Sequence, residues 1–509
     1  MRNIWAVTRK TFLQCARTRI IVVFGILLVI CVLGAGFKMT GDGTLKGRIQ
    51  TFLAYSTSLT QLLLCLVTIF LTTNIVTGDI RHKYIFTVAS KPLARWQYVL
   101  GRWCGVVLLN MLLLAAAMGA IYFLAQHLRK QPTQMEQNFA AGILEQKRTD
   151  FDRLGVENEI FTSRATYLPE PFNIDRLFQR RMKQLIDERG EDNLIRSHIQ
   201  KRVPDKAKAE KLFSDIDARQ RAMAEIESTL REQILDEVKL IRPGKAIGLI
   251  FTGLKPAPAD GPLLQVRYKL NPFKSSATIL HSTWQVENPQ TGFNRFIPRS
   301  DSTQTASSFM VDPRAVTGQG RLTVFYINRQ PDTIVKIEPE EIAVLQRIAG
   351  FEGNLVRAGL LILLRLMFLA AASVLFGVFL SFPITCLSVM IIFTISMTSS
   401  FLHDATRLPG HTAPSAYEYF SHYLVRGVFV ALPTFSATSA TDSLVDGTYI
   451  PWGTLIREYL ITFKQSGADS GRLWQMIGLE IQTGMGMRTI LALAVSWLIF
   501  RRRELAGVT

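Results

Sequence analysis

The sequence predicts an α-helical polytopic membrane protein with about six transmembrane helices, carrying an extracytoplasmic α+β insertion built of a helical stalk and a β-sandwich. Three observations lead there. Apolar runs long enough to cross a bilayer cluster towards both ends of the 509 residues. The chain is 48% hydrophobic yet carries a formal charge of +18, and 30 of its 40 acidic residues fall between positions 126 and 354, so the positive excess lies around the apolar runs. Within that middle stretch the hydrophobic period switches from helical to alternating. The chain divides accordingly. Residues 1–125 hold an amphipathic elbow helix and transmembrane helices 1 to 3, and 126–240 a helical, coiled-coil region. Residues 241–350 form the β-sandwich, and 351–509 hold transmembrane helices 4 to 6 with an external re-entrant or interfacial segment.

Residues 2–17 plot as an amphipathic helix. Arg2, Arg9, Lys10 and Arg17 share one arc, and Ile4, Trp5, Val7, Phe12 and Cys15 lie opposite. That pattern suits a helix lying in the membrane interface, the alternative being a polar leader to the first span. Ile20–Phe37 reads as a retained first span rather than a cleaved signal, since no small-residue cleavage pattern follows it. Leu59–Val76 and Tyr98–Leu124 are the second and third spans, with Arg102 and Trp103 where an interfacial anchor is expected. Between them runs the basic, aromatic connector Asp79–Arg102.

From Gln126 the chain turns polar. Leu212, Ile216, Met223, Ile226, Leu230, Ile234 and Val238 recur at three- and four-residue intervals, mostly, as in a coiled-coil helix. A solvated helical hairpin or stalk and a specific partner surface both fit that spacing. Short runs at 246–251, 264–270 and 322–327 then alternate with Pro, Gly and Asn clusters, which predicts antiparallel strands. Trp284, Phe309 and Tyr326 are expected in the core of that sandwich.

Leu355–Leu380 and Ile384–Leu402 form a hairpin of spans broken at Ser381–Pro383. Arg365 sits inside the first of these. A cation there either snorkels to the interface or lines a membrane pathway. Tyr423–Leu432 is apolar but too short to cross, and Thr483–Phe500 is the last span, stopped on the cytoplasmic side by Arg501, Arg502 and Arg503. Counting spans puts both termini and the 79–102 connector in the cytoplasm, with the insertion outside.

Several functions lack their residues. The chain has no phosphate-cradling G-x-x-x-x-G-K-[ST] loop, no H-E-x-x-H and no G-x-S-x-G, so no active site, cofactor site or metal site is expected on it. Cys15, Cys31, Cys65, Cys104 and Cys386 lie in or beside apolar runs and read as small buried hydrophobes. No basic block interleaves with aromatics in a polar region, so nucleic acid is not an expected partner. Anionic lipid is.

The stretch from Phe86 to Gly105 resembles the loop between the second and third spans of ABC-2 type transporter permeases, the membrane subunits of ATP-binding cassette transporters. It carries Ser90, Lys91 and Pro92, then Arg95, then the aromatic-Val-Leu-Gly-Arg step from Tyr98 to Arg102. Leu432–Phe435 running on to Asp446 and Gly447, and the close from Trp497 to Leu505, are similar to the same family, as is the amphipathic start. Together these cover 1–125 and 354–509. The large insertion departs from the minimal permease. The resemblance implies a dimer with a second permease copy or homologue, in a bacterial cytoplasmic (inner) membrane. A separate cytoplasmic ATPase, which would hold the ATP, is implied to dock on Asp79, Arg81, Lys83, Lys91, Pro92, Arg95 and Trp96. ATP hydrolysis would then drive export or mechanical work outside the membrane. The alternative for the loop is that it only sets topology and binds lipid headgroups. The alternative for the protein is a membrane-anchored scaffold whose external domain binds an envelope partner without transport.

Overall fold

The computed structural model describes residues 2–38, 42–82, 94–141, 150–203, 206–256, 261–273, 278–303, 305–405, 420–421, 423–425, 427–428, 432–433, 435, 440–459, 461–465 and 479–506. Its contacts divide the chain into one unit of 1–164 with 348–509 and another of 165–347. The sequence draws these boundaries at 125/126 and 350/351. The residues after Gln126 that join the first unit do so by tying back onto its helices.

In the first unit, α1 (Arg2–Ala16) and α2 (Arg19–Lys38) meet at a 64° bend. The long helices α3 (Leu45–Arg81) and α4 (Arg95–Arg129) follow. Thr44 caps α3 by accepting from the Gly47 N–H at 2.9 Å, and Asp152 accepts from the Leu45 and Lys46 N–H groups at 2.7 and 2.8 Å. A carboxylate there complements the positive end of the helix dipole. The short helix α5 (Gln134–Ala140) starts on a reciprocal Thr133–Glu136 capping box, and Asp152 lies on the short helix after it, α6 (Phe151–Gly155).

The second unit is entered through β1 (Thr162–Tyr167). It continues with α7 (Asp175–Arg189), α8 (Glu191–Arg202), α9 (Lys206–Ser214) and α10 (Ile216–Lys239). The helix read through 212–238 is thus broken in two, and the region 175–239 holds four helices. Leu212 lies on α9, Asp215 caps α10 by accepting from the Asp217 N–H, and Ile216 is 72% exposed. Downstream the predicted stripe does bury: Leu230 and Ile234 pack on Phe178 and Met182 of α7.

The strands are β2 (Leu240–Ile241), β3 (Ala246–Phe251), β4 (Leu264–Tyr268), β5 (Asn271–Phe273), β6 (Ile279–Asn288), β7 (Phe293–Ser302), β8 (Ser307–Val311), β9 (Leu322–Asn328), β10 (Ile334–Lys336) and β11 (Ile342–Gly350). They form sheets of order β3-β9-β6-β7 and β1-β11-β4-β8, with a small β2-β10-β5 sheet. Antiparallel register sets Trp284 opposite Tyr326, and the strict alternation along β9 buries Leu322, Val324, Tyr326 and Asn328. Trp284 of one sheet meets Tyr268 and Phe309 of the other at ring distances of 4.5 and 5.4 Å, so the expected aromatic residues are the core.

Back in the first unit come α11 (Phe351–Gly377), α12 (Phe382–Met397), α13 (Ser399–Ala405), α14 (Ala440–Val445) and α15 (Trp452–Tyr459), then an antiparallel pair β12 (Ile461–Gln465) and β13 (Leu479–Thr483), and last α16 (Met485–Ala506). Among the described residues three helices are long and apolar enough to cross a membrane: α3, the helix beginning at Arg95, and α11. The bent pair α1 and α2 makes a fourth if it is one span. α12 has 16 residues, which at 1.5 Å each reach about 24 Å, short of a ~30 Å hydrocarbon core. The expected re-entrant segment Tyr423–Leu432 falls largely outside the described residues.

Candidate functional site

The 79–102 connector leaves α3 and returns into α4, and its two ends are held together inside the bundle. Asp79, in the last turn of α3, is ion-paired with Arg102 of α4, the side chains being 5% and 7% exposed. The Tyr98 hydroxyl donates to the same carboxylate. Arg102 also donates to Gln14 Oε1 at 2.9 Å and Thr11 Oγ1 at 3.2 Å on α1. One guanidinium therefore links α1, α3 and α4. The Tyr98 ring stacks on Phe500 of α16 at 5.9 Å, and Val76, Ile80, Val374 and Val378 complete an apolar crevice around it.

Glycine makes the α1 contact possible. A Cβ at Gly101 would lie 2.7 Å from Val7 side-chain atoms, and one at Gly105 would lie 2.5 Å from Thr11 Cβ and 2.9 Å from the Thr8 carbonyl. The buried stripe Thr8, Thr11 and Cys15 of α1 fits into that notch, while Arg2, Arg9, Lys10 and Arg17 stay exposed. The amphipathic pattern of residues 2–17 thus serves packing against α4 on one face.

The predicted docking residues separate in this arrangement. Arg81 is exposed and Trp96 is 47% exposed. Arg95 is half-buried and donates to the Arg501 carbonyl at 3.4 Å. Asp79 is not on the surface with them; its carboxylate is enclosed by Arg102 and Tyr98. Lys83, Lys91 and Pro92 lie outside the described residues, and Arg502 and Arg503 are described only as helical backbone. Nor do Arg102 and Trp103 form an interfacial anchor. Arg102 turns inward to its acid, and the Trp103 indole N–H donates to the Met367 carbonyl of α11 at 3.0 Å.

Deeper in the bundle the buried face of α3 carries polar residues among its apolar ones: Ser56, Thr57, Thr60, Gln61, Thr68, Thr72 and Thr73 are all buried. Polar side chains on a membrane helix bury against protein because lipid offers them no partner. Asn110 of α4 donates to Thr68 at 2.9 Å. Arg365 of α11 donates to Gln61 Oε1 at 2.8 Å and to the Phe435 carbonyl, with its guanidinium carbon 5.6 Å from the Phe435 ring. The snorkelling alternative is therefore wrong for Arg365. Its charged head is buried on protein oxygens, and Phe368 and Phe393 pack around Phe435.

The turn at Asp446–Gly447 is also built tightly. Gly447 has φ of +61°, and a Cβ on it would fall 1.9 Å from the Glu159 carbonyl oxygen. Its own carbonyl accepts from the Arg164 N–H at 2.8 Å, and Asn354 of α11 donates to the next carbonyl, Thr448, at 2.7 Å. Sequence reasoning missed one cluster beside it, in which the Arg357 guanidinium lies between the rings of Tyr449 and Trp452. The one available signal was an arginine early in an apolar helix.

Among the described residues no group of three or more His, Cys, Asp and Glu is placed to hold a metal ion. Fold and site define a chain with the make-up of a helical membrane protein that also carries an α+β part. A scan against protein-family models finds no match, and a search of curated proteins finds none.

Proposed function

We propose that this chain is the membrane permease subunit of an ATP-binding cassette transporter of the ABC-2 type. A separate cytoplasmic ATPase would dock on the 79–102 connector and drive export or mechanical work outside the membrane. The observation that carries the reading is the buried Asp79–Arg102 pair. The helix ends that flank the loop are locked to each other and to α1, so a push on them would pass to α1, α3 and α4 together. Packed helices respond to such a push by rocking between discrete arrangements rather than by bending. The exposed Arg81 and Trp96, with Lys83 and Lys91 between them in sequence, would supply the basic and aromatic contacts to the ATPase. The resemblance of residues 86–105, 432–447 and 497–505 to ABC-2 permeases points the same way.

Copurification tests it. The full chain, extracted gently from its own membranes, is expected to bring down a protein with a G-x-x-x-x-G-K-[ST] loop, and Lys91→Glu with Arg95→Glu is expected to release it. A homogeneous chain without any ATPase, under conditions that preserve other membrane complexes, would remove the basis for the proposal.

A further inference from the structure

Arg357 stands one and a half turns into α11, with exposed apolar neighbours Val356 and Leu360 on the same helix. Its guanidinium carbon is 4.6 Å from the Tyr449 ring centre and 5.1 Å from that of Trp452. Among the described residues no carboxylate pairs with it, and its Nε and Nη1 are closed off from solvent without a hydrogen-bond acceptor. A cation in or beside the hydrocarbon is costly without a counter-charge, and ring quadrupoles offset only part of that cost.

The helix next to it says at what depth the cluster lies. α15 packs on α11 through Leu455, which is buried, while Trp452, Ile456 and Tyr459 form an exposed stripe at i, i+4 and i+7. An eight-residue helix with an outward face of Trp, Ile and Tyr suits the boundary between headgroups and acyl chains, where amphipathic rings are favoured. At that depth the anion in greatest supply is the lipid phosphate. A guanidinium is suited to it because its planar fork of donors matches two phosphate oxygens.

We propose that Arg357, Tyr449 and Trp452 form a binding site for a phosphate oxyanion, the rings fixing the guanidinium and lining the approach beside it, with a phospholipid headgroup as its source. Arg357 is only partly buried and its Nη2 is not among the closed-off nitrogens, so the phosphate would approach there, past Trp452, which is 52% exposed. The site does not depend on any ATPase, so it stands or falls apart from the transporter reading.

The test uses the full chain in detergent, stripped of lipid and titrated with phosphatidylglycerol, the bound lipid being counted by native mass spectrometry. Arg357→Gln is expected to weaken retention about tenfold, and Trp452→Leu, at an exposed position, to weaken it by a similar factor while leaving the melting transition in place. Diacylglycerol, which lacks the phosphate, should show no such dependence. Competition by millimolar inorganic phosphate would assign the site to a free phosphate, and its absence would assign it to the lipid. Equal phosphatidylglycerol retention by the wild type and both variants, or equal retention of diacylglycerol, would overturn the proposal.

Discussion

Replacing Arg102 by Leu leaves the Asp79 carboxyl group without its partner in a place that water scarcely reaches. Both side chains of the pair are at least nine-tenths buried, and among the described residues Asp79 would keep only the Tyr98 hydroxyl as a donor. Breaking one side of a buried pair costs about 3–5 kcal/mol, most of it the penalty of the stranded charge rather than the worth of the bond. Arg102→Leu also removes the hydrogen bonds to Thr11 and Gln14, so α1 should loosen as well. Asp79→Leu should cost a similar amount and leave Tyr98 without its acceptor. The double variant Asp79→Leu/Arg102→Leu removes both charges, and apolar replacement of whole buried pairs is often neutral or stabilising. It should therefore recover most of the loss, apart from about 1–3 kcal/mol for the polar groups left behind. Equilibrium unfolding of the detergent-solubilised full chain, run as a double-mutant cycle, measures this. Single variants that cost under about 1 kcal/mol, or costs that simply add, would refute the coupling of α1, α3 and α4 through this pair.

Gly105→Val should drive α1 off α4, because the new carbon would meet Thr11 and the Thr8 carbonyl at under 3 Å; a cysteine placed at Thr11 should then become reactive where it was protected. Trp284→Ala should destabilise the sandwich by about 3–5 kcal/mol, the cost of emptying a large core site, read from chemical unfolding of the intact chain. Glu338 is pushed up by burial, but hydrogen bonds from Lys239 and Lys336 outweigh that and hold it below its ordinary 4.5. A depressed carboxylate stabilises the fold above its unfolded value, and that stability fades as pH falls from about 4.5 through the folded value. Glu338→Gln should therefore flatten the acid limb of the melting temperature measured from pH 6 downwards.

Much of the fold was legible because local rules decide it. The runs 246–251, 264–270 and 322–327 coincide closely with β3, β4 and β9, since alternation tracks the face that a sandwich buries. Trp284, Phe309 and Tyr326 are in the core for the same reason. The helical region misled because spacing was followed across a break: Asp215 caps a new helix, so Leu212 and Ile216 do not share one stripe. The site was legible only as a location. The connector stood out by charge and length, but the pairing of Asp79 with Arg102 depends on how two long helices lie against each other, which no local pattern records. Arg357 was missed for that reason too, its aromatic partners arriving from a far part of the chain.

The central claim is that the 79–102 connector is where a cytoplasmic ATPase meets this chain. A photo-crosslinking residue in place of the exposed Trp96, activated in native membranes, tests it most directly. The account predicts a protein adduct that carries a nucleotide-binding G-x-x-x-x-G-K-[ST] loop and that fades when Lys91 and Arg95 are made acidic. Adducts confined to lipid, with the chain intact and at its normal level, would contradict it.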